Sequence, residues 1–286
     1  MICVSCVGTS KEMSVLMTNK IADFHFIGDT QCFPLYWYED ISDQQNQTLF
    51  DQAAEPQSSR YARRDGISDH IHQRARKLHG PKTTKEDVFH YVYALLHNPD
   101  YRATFAADLK KMLPRIPLVE DSTLFWKYTA AGRELAELHL HYEDYADEAT
   151  KRFGIIQLFE PATRIEVEKS ISGAKIDFMS YAVTKMRFIK NGKEEDKTQI
   201  RYNDHRIIRN IPLEAYDYIV NGKSAIEWVM ERYQVSTHKE SGIMNDPNDW
   251  AREHEHPAYI HNLLLSVIAV SIQTVRIVKE LPKIEF

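Results

Sequence analysis

A chain of 286 residues with 43% hydrophobic and 27% charged content is globular in composition and long enough for one large domain or two ordinary ones, which excludes wholesale disorder. Thirty-six basic against 41 acidic residues give a net charge of −5, so the molecule is no indiscriminate polyanion binder and any nucleic-acid surface must be local. Three cysteines cannot build a disulfide framework, no signal sequence opens the chain, and the most apolar stretch, 263–272, is about half a membrane span; a cytoplasmic protein with no membrane partner is expected.

In chain order, alternation predicts strands at 2–7, 14–17 and 24–27, an antiparallel meander. The aromatic segment 33–38 follows, confined to a strand start or an edge by Pro34. Residues 40–65 are polar and Gln-rich and read as a long loop. Thr83 and Glu86 form a capping box before Val88, Tyr91, Val92, Leu95 and Leu96, which fall on one helical face. Pro99 ends that helix and starts another, whose buried stripe is Tyr101, Phe105, Leu109, Met112 and Leu113.

A longer helix is predicted over 122–145 from the seam Leu124, Tyr128, Ala131, Leu135, Leu138 and Tyr142. Strands return at 155–159, 164–167 and 181–189, and Asn191-Gly192 signals a hairpin to a partner strand at 200–202. Helices are predicted over 213–220, 225–233 and 258–279. The sum is an α+β fold of short antiparallel strands with hairpins, a central helical block and a long C-terminal helix. It is read as a single unit over 1–286, with strand-rich blocks at 1–60 and 151–212 and helical blocks at 66–150 and 213–286.

Few motifs carry chemistry. Asn98-Pro99-Asp100-Tyr101 resembles the Asn-Pro-Pro-Tyr loop of amino-methyltransferases, but it follows a helix and lacks the second Pro, so it reads as a helix stop and N-cap. No glycine-rich nucleotide fingerprint or phosphate-binding loop occurs. Asp177, Glu195 and Lys197 have the residue types of a Mg²⁺-dependent nuclease, though Glu195 lies in a turn where charges are normally solvated. Cys3 and Cys6 point to opposite faces of a strand, and the pairs His70/His72 and His139/His141 are badly spaced for chelation on a helix. His254 and His256 have no evident third ligand. No complete active site and no metal site is expected.

Charge distribution says more. Residues 60–85 hold eight basic against two acidic residues, and 185–209 hold eight against four. Glu134, Glu137, Glu143, Asp144, Asp147 and Glu148 form an opposite cluster, a second candidate surface if the chain is a protein-interaction module. Lys185 and Arg187, two apart on one strand face, suit a phosphate backbone, and Arg201, Asn203 and Arg206 are residue types that read adenine or guanine.

Long stretches resemble the C-terminal specificity region of the Type ISP restriction-modification enzymes. They include Asp29-Thr30-Gln31-Cys32-Phe33-Pro34-Leu35-Tyr36, Lys85-Glu86-Asp87-Val88-Phe89-His90-Tyr91-Val92-Tyr93 and Asn98-Pro99-Asp100-Tyr101-Arg102. Lys185-Met186-Arg187-Phe188, Tyr216-Asp217-Tyr218-Ile219-Val220-Asn221-Gly222-Lys223-Ser224-Ala225 and Glu231-Arg232-Tyr233-Gln234-Val235 continue the likeness, as do Gly242-Ile243-Met244-Asn245-Asp246-Pro247-Asn248 and the last helix. The resemblance implies a target-recognition domain that reads double-stranded DNA for an adenine methyltransferase domain of the same parent chain. S-adenosylmethionine, ATP and Mg²⁺ are then cofactors of the parent enzyme, with none in this fragment, and the abrupt strand start at Met1 is what a chain cut from a longer one would show. Recognition surfaces differ between members that read different sites. The DNA-binding candidates therefore come from charge and placement: Arg74, Lys77, Lys82, Lys185, Arg187, Lys190, Arg201, Asn203, Arg206 and Arg209.

Overall fold

The computed structural model describes residues 1–5, 11–41, 60–159 and 180–285, and its elements form an α+β fold. They divide into two compact units, Met1–Ala136 with Leu281–Phe286, and Glu137–Glu280.

In the first unit, β1 (Ile2–Val4) is the buried centre of an antiparallel sheet, flanked by β2 (Val15–Met17) and β3 (Gln31–Phe33). The predicted strand at 24–27 is instead a turn. Phe26 N donates to the Asp23 carbonyl, Ile27 N donates to Thr30 Oγ1, and Gly28 and Asp29 take positive φ, so Phe24 and Phe26 stay exposed. Pro34 separates β3 from β4 (Tyr36–Asp40), which pairs with β5 (Tyr61–Asp65). The end of the predicted loop is therefore a strand, and 42–59 lie outside the described residues.

The helical part opens with α1 (Asp69–His79), capped by Ser68. Its neighbour α2 (Lys85–His97) carries a capping box one residue later than predicted: Asp87 N donates to Thr84 Oγ1 (3.1 Å) and Thr84 N to Asp87 Oδ2 (2.8 Å). Asn98 then caps α3 (Pro99–Thr104), accepting from Tyr101 N at 2.7 Å. After α4 (Ala106–Leu109) the expected apolar stripe does not close into a core. Only Tyr101 is buried, while Met112 and Leu113 line an open groove of about 490 Å³ with Phe105, Leu109 and Ile116.

Helix α5 (Ser122–Leu140) buries Phe125, Tyr128, Leu135 and Leu138 and ends five residues short of the predicted limit of 145. It crosses α2 at Gly132, where a Cβ would stand 1.9 Å from the His90 carbonyl oxygen, so only glycine permits this backbone approach. The acidic cluster consequently covers the end of α5, a turn and α6 (Ala146–Lys151) rather than one helical face, and Asp147 and Glu148 pair with Lys151 and Arg152.

The second unit is built on a four-stranded antiparallel sheet ordered β6 (Ile156–Phe159), β9 (Arg206–Arg209), β8 (Glu194–Arg201) and β7 (Arg187–Asn191). The predicted strand at 164–167 lies outside the described residues, and β7 begins six residues later than the strand predicted from 181. A 3-10 turn at Leu213–Asp217 replaces the predicted helix at 213–220. It is followed by the small ladder β10 (Ile219–Val220) and β11 (Lys223–Ser224), and then by α7 (Ala225–Arg232). A hairpin of β12 (Ser236–Thr237) and β13 (Met244–Asn245) leads to α8 (Asn248–Glu253).

The core of this unit is α9 (Tyr259–Glu280), whose Leu264, Ile268 and Ile272 pack with Ile200, Ile208 and Ile226. By length and composition this helix could cross a membrane, but 78% of its apolar window is buried inside the unit, as in the core helix of a globular fold.

Candidate nucleic-acid interface

Much of the first basic cluster is spent within the fold. Arg60 pairs with Asp40 (2.6 Å), Arg64 with Glu39 (2.8 Å), and Lys85 bridges Asp65 and Asp69 at 2.6 Å each. Arg63 lies 4.4 Å over the Tyr36 ring, and Arg76 Nε donates to the Pro81 carbonyl. Arg74, Lys77 and Lys82 remain exposed. On α1, which buries only Ala75 and His79, the exposed residues His70, Gln73, Arg74 and Lys77 follow i, i+3, i+4, i+7 and so form one stripe.

In the second unit, Arg187 pairs with Arg201, which pairs in turn with Ile207; Phe188, Ile200 and Ile208 make the adjacent row. Because faces alternate, the second row enters the core, and Arg187, Arg201 and Arg209 share the other face. Lys190 is exposed opposite Glu195, and Lys185 is exposed just before β7 rather than within a strand. Between Phe188 and Ile189 the register shifts from Ile200 to Asp196, leaving Lys197, Thr198 and Gln199 as a bulge. Asp196 holds that bulge, accepting from Thr198 Oγ1 and N and from Gln199 Nε2, and these bonds keep its carboxyl below the usual range.

Asn203 and Arg206, expected to read bases, are turned inward. Asn203 Oδ1 accepts from the backbone N–H groups of His205 and Arg206, closing the turn between β8 and β9, while its Nδ2 donates to the carbonyls of Ser180 (3.0 Å) and Ala182 (2.9 Å). Arg206 Nε donates to the same Ser180 carbonyl, and its guanidinium lies 3.6 Å over the Tyr181 ring. Both are buried. They fasten 180–182 to the sheet, which is why that segment does not continue β7; the Asn-Asp-His turn was the sequence signal for this inward role.

The constellation proposed for a nuclease is not assembled among the described residues. Lys197 Nζ lies 3.0 Å from Glu227, beneath the rings of Phe188 and Tyr216, and Glu227 closes the capping box of α7 with Ser224. Glu195 is exposed in the hairpin, and Asp177 lies outside the described residues. No group of three or more His, Cys, Asp or Glu side chains suited to a metal occurs among the described residues. Cys6 also lies outside them, while His254 stacks on Trp250 at 4.2 Å.

The family model for the Type ISP C-terminal specificity domain matches residues 1–263, and the chain belongs to this family. It is similar to a nuclease-deletion mutant of the Type ISP restriction-modification enzyme LlaGI, solved in complex with a DNA substrate mimic, with 34% identity and a TM-score of 0.68 over 99% of this chain and 18% of that one. The ATP-dependent Type ISP enzyme LlaBIII bound to DNA gives 33% identity and a TM-score of 0.73 over 99% of this chain and 16% of that one. A cryoEM structure of a DrdV–DNA complex gives 25% and 0.72 over 100% of this chain and 25% of that one. The chain thus spans a quarter or less of the length of these relatives. No curated protein matches it.

Proposed function

We propose that the chain is a sequence-specific DNA recognition module that acts as one target-recognition unit of a restriction-modification enzyme. The observation that carries this reading is the sheet face on which Arg187 lies directly across from Arg201, with Arg209 on the same face beyond the buried Ile207. The exposed stripe of Arg74 and Lys77 on α1, with Lys82 beyond it, is a second set of phosphate contacts. Similarity to enzymes solved with DNA or a DNA mimic supports the same ligand.

On this reading Arg74, Lys77, Lys82, Lys185, Arg187, Lys190, Arg201 and Arg209 contact DNA, while Asn203 and Arg206 shape the turn behind them. Methyl transfer, translocation and cleavage belong to other domains of the parent chain, a methyltransferase among them, which use S-adenosylmethionine, ATP and Mg²⁺. Duplex binding measured across a salt series, with selection from a randomised pool, tests the proposal. A salt slope near zero with no selected site would leave a protein-interaction module as the better reading.

A further inference from the structure

Ile243 and Met244 are 68% and 64% exposed, and they sit next to each other on a hairpin that the fold holds firmly. His238 N donates to the Ile243 carbonyl (2.8 Å) and Gly242 N to the His238 carbonyl (2.9 Å), with Gly242 at φ 70° turning the chain. Ser241 Oγ lies 3.0 Å from His238 Nδ1 and accepts from Ile243 N. At the base, the buried Asn248 accepts from Val183 N (2.8 Å) and donates to the Val183 carbonyl (2.7 Å), and Val235 N donates to the Thr184 carbonyl. Asp246 binds Asn248 on one side and Arg252 on the other.

These anchors place the root of the hairpin beside the segment that runs at once into Lys185 and Arg187. Exposed aliphatic residues are ordinary on a protein surface, so it is the adjacency of these two on a hydrogen-bonded hairpin, beside a group of cations, that points to a ligand. The neighbouring cations identify its charge. Lys185 and Arg187 adjoin the root, and Lys239, with Glu240 as the acid beside it, lies at the tip. An apolar tip flanked by phosphate-binding cations is how proteins part a base step in a DNA groove.

We infer that Ile243 and Met244 form a wedge that enters the bound duplex and unstacks one base step, bending the DNA. This rests on the DNA-reading assignment above and extends it from phosphate contact to deformation, so that part of the specificity comes from how readily a sequence yields at that step.

The test uses the 286-residue chain and a duplex recovered from a randomised pool by binding selection. Unstacking is read with 2-aminopurine at each adenine in turn, and bending by energy transfer between dyes on the two ends. Binding is expected to raise fluorescence several-fold near one step and to shorten the end-to-end distance. The double variant Ile243→Ala/Met244→Ala should keep the wild-type salt slope and thermal midpoint yet lose most of both signals. Lys185→Ala should do the reverse, weakening binding and lowering the slope while both signals are retained at saturation. A wild-type complex with neither signal, or undiminished signals in the double variant, overturns the wedge. A wild-type chain that binds no duplex overturns the DNA reading itself, a separate result.

Discussion

Arg187 stands directly across the β7–β8 ladder from Arg201, so two guanidinium groups share one face of the sheet. Paired guanidinium groups on one strand face suit a phosphate backbone. Arg187→Glu should therefore remove most duplex affinity, because the exposed cation becomes an anion facing the same polyanion. An anisotropy titration paired with a scanning-fluorimetry melt checks this; a variant that is less stable yet binds as well would mean the face serves the fold.

The stripe on α1 predicts a purely electrostatic loss. Arg74→Ala/Lys77→Ala should leave the melting curve unchanged, because neither side chain is buried, and should lower the magnitude of the log–log salt slope by about 2. The same loss should appear on every sequence. Altered site preference with an unchanged slope would place α1 against bases instead.

Asn203 gives the opposite expectation. Removing its amide in Asn203→Ala takes a donor from the Ala182 carbonyl and an acceptor from two turn N–H groups, and leaves Arg206 to hold the Ser180 carbonyl, which should cost about 2–4 kcal/mol in urea unfolding with site preference unchanged. Intact stability with a changed site preference would restore Asn203 as a base reader.

Acid should loosen both units through histidines buried in the neutral state. Burial pushes His97 and His261 down to about 4, the latter helped by Arg206 nearby. Their unfolded value is about 6.5, so protons bind the unfolded chain first as pH falls. The stability they permit is complete above about 6.5 and declines between 6.5 and 4, by on the order of 3 kcal/mol for each group. His261→Gln should flatten that decline in denaturant midpoints measured from pH 7 to 5; an identical decline would assign the acid sensitivity elsewhere.

The long helices and the Asn191-Gly192 hairpin were legible because periodicity and turn chemistry are local. Thr84 rather than Thr83 caps α2, a shift of one residue that the Thr-Thr pair left open. What could not be read depended on how each segment closes on its neighbours. Met112 and Leu113 keep helical spacing with their neighbours but meet a groove, and the apolar run 24–27 was bent by the turn that follows it. Among the site candidates, charge counting found the exposed cations of α1 and β7. It could not separate Arg201, on the outer face, from Arg206, drawn inward by the backbone of Ser180. The wedge residues Ile243 and Met244 were seen only as part of a resemblance, since two aliphatics in a short strand look like core until their exposure is known.

The extent of the family model's match and the extent needed for folding do not coincide. The matched residues stop at 263, five residues into α9, whereas the helix continues to Glu280 and supplies Leu264, Leu265, Ile268 and Ile272 to the interior. The segment after it returns to the first unit, where the Pro282 carbonyl accepts a hydrogen bond from Tyr128 Oη. A gene trimmed at residue 263 would therefore encode a protein lacking the middle of one unit and the closing strap of the other. The practical boundary for expression, grafting or exchange of specificities lies beyond residue 282.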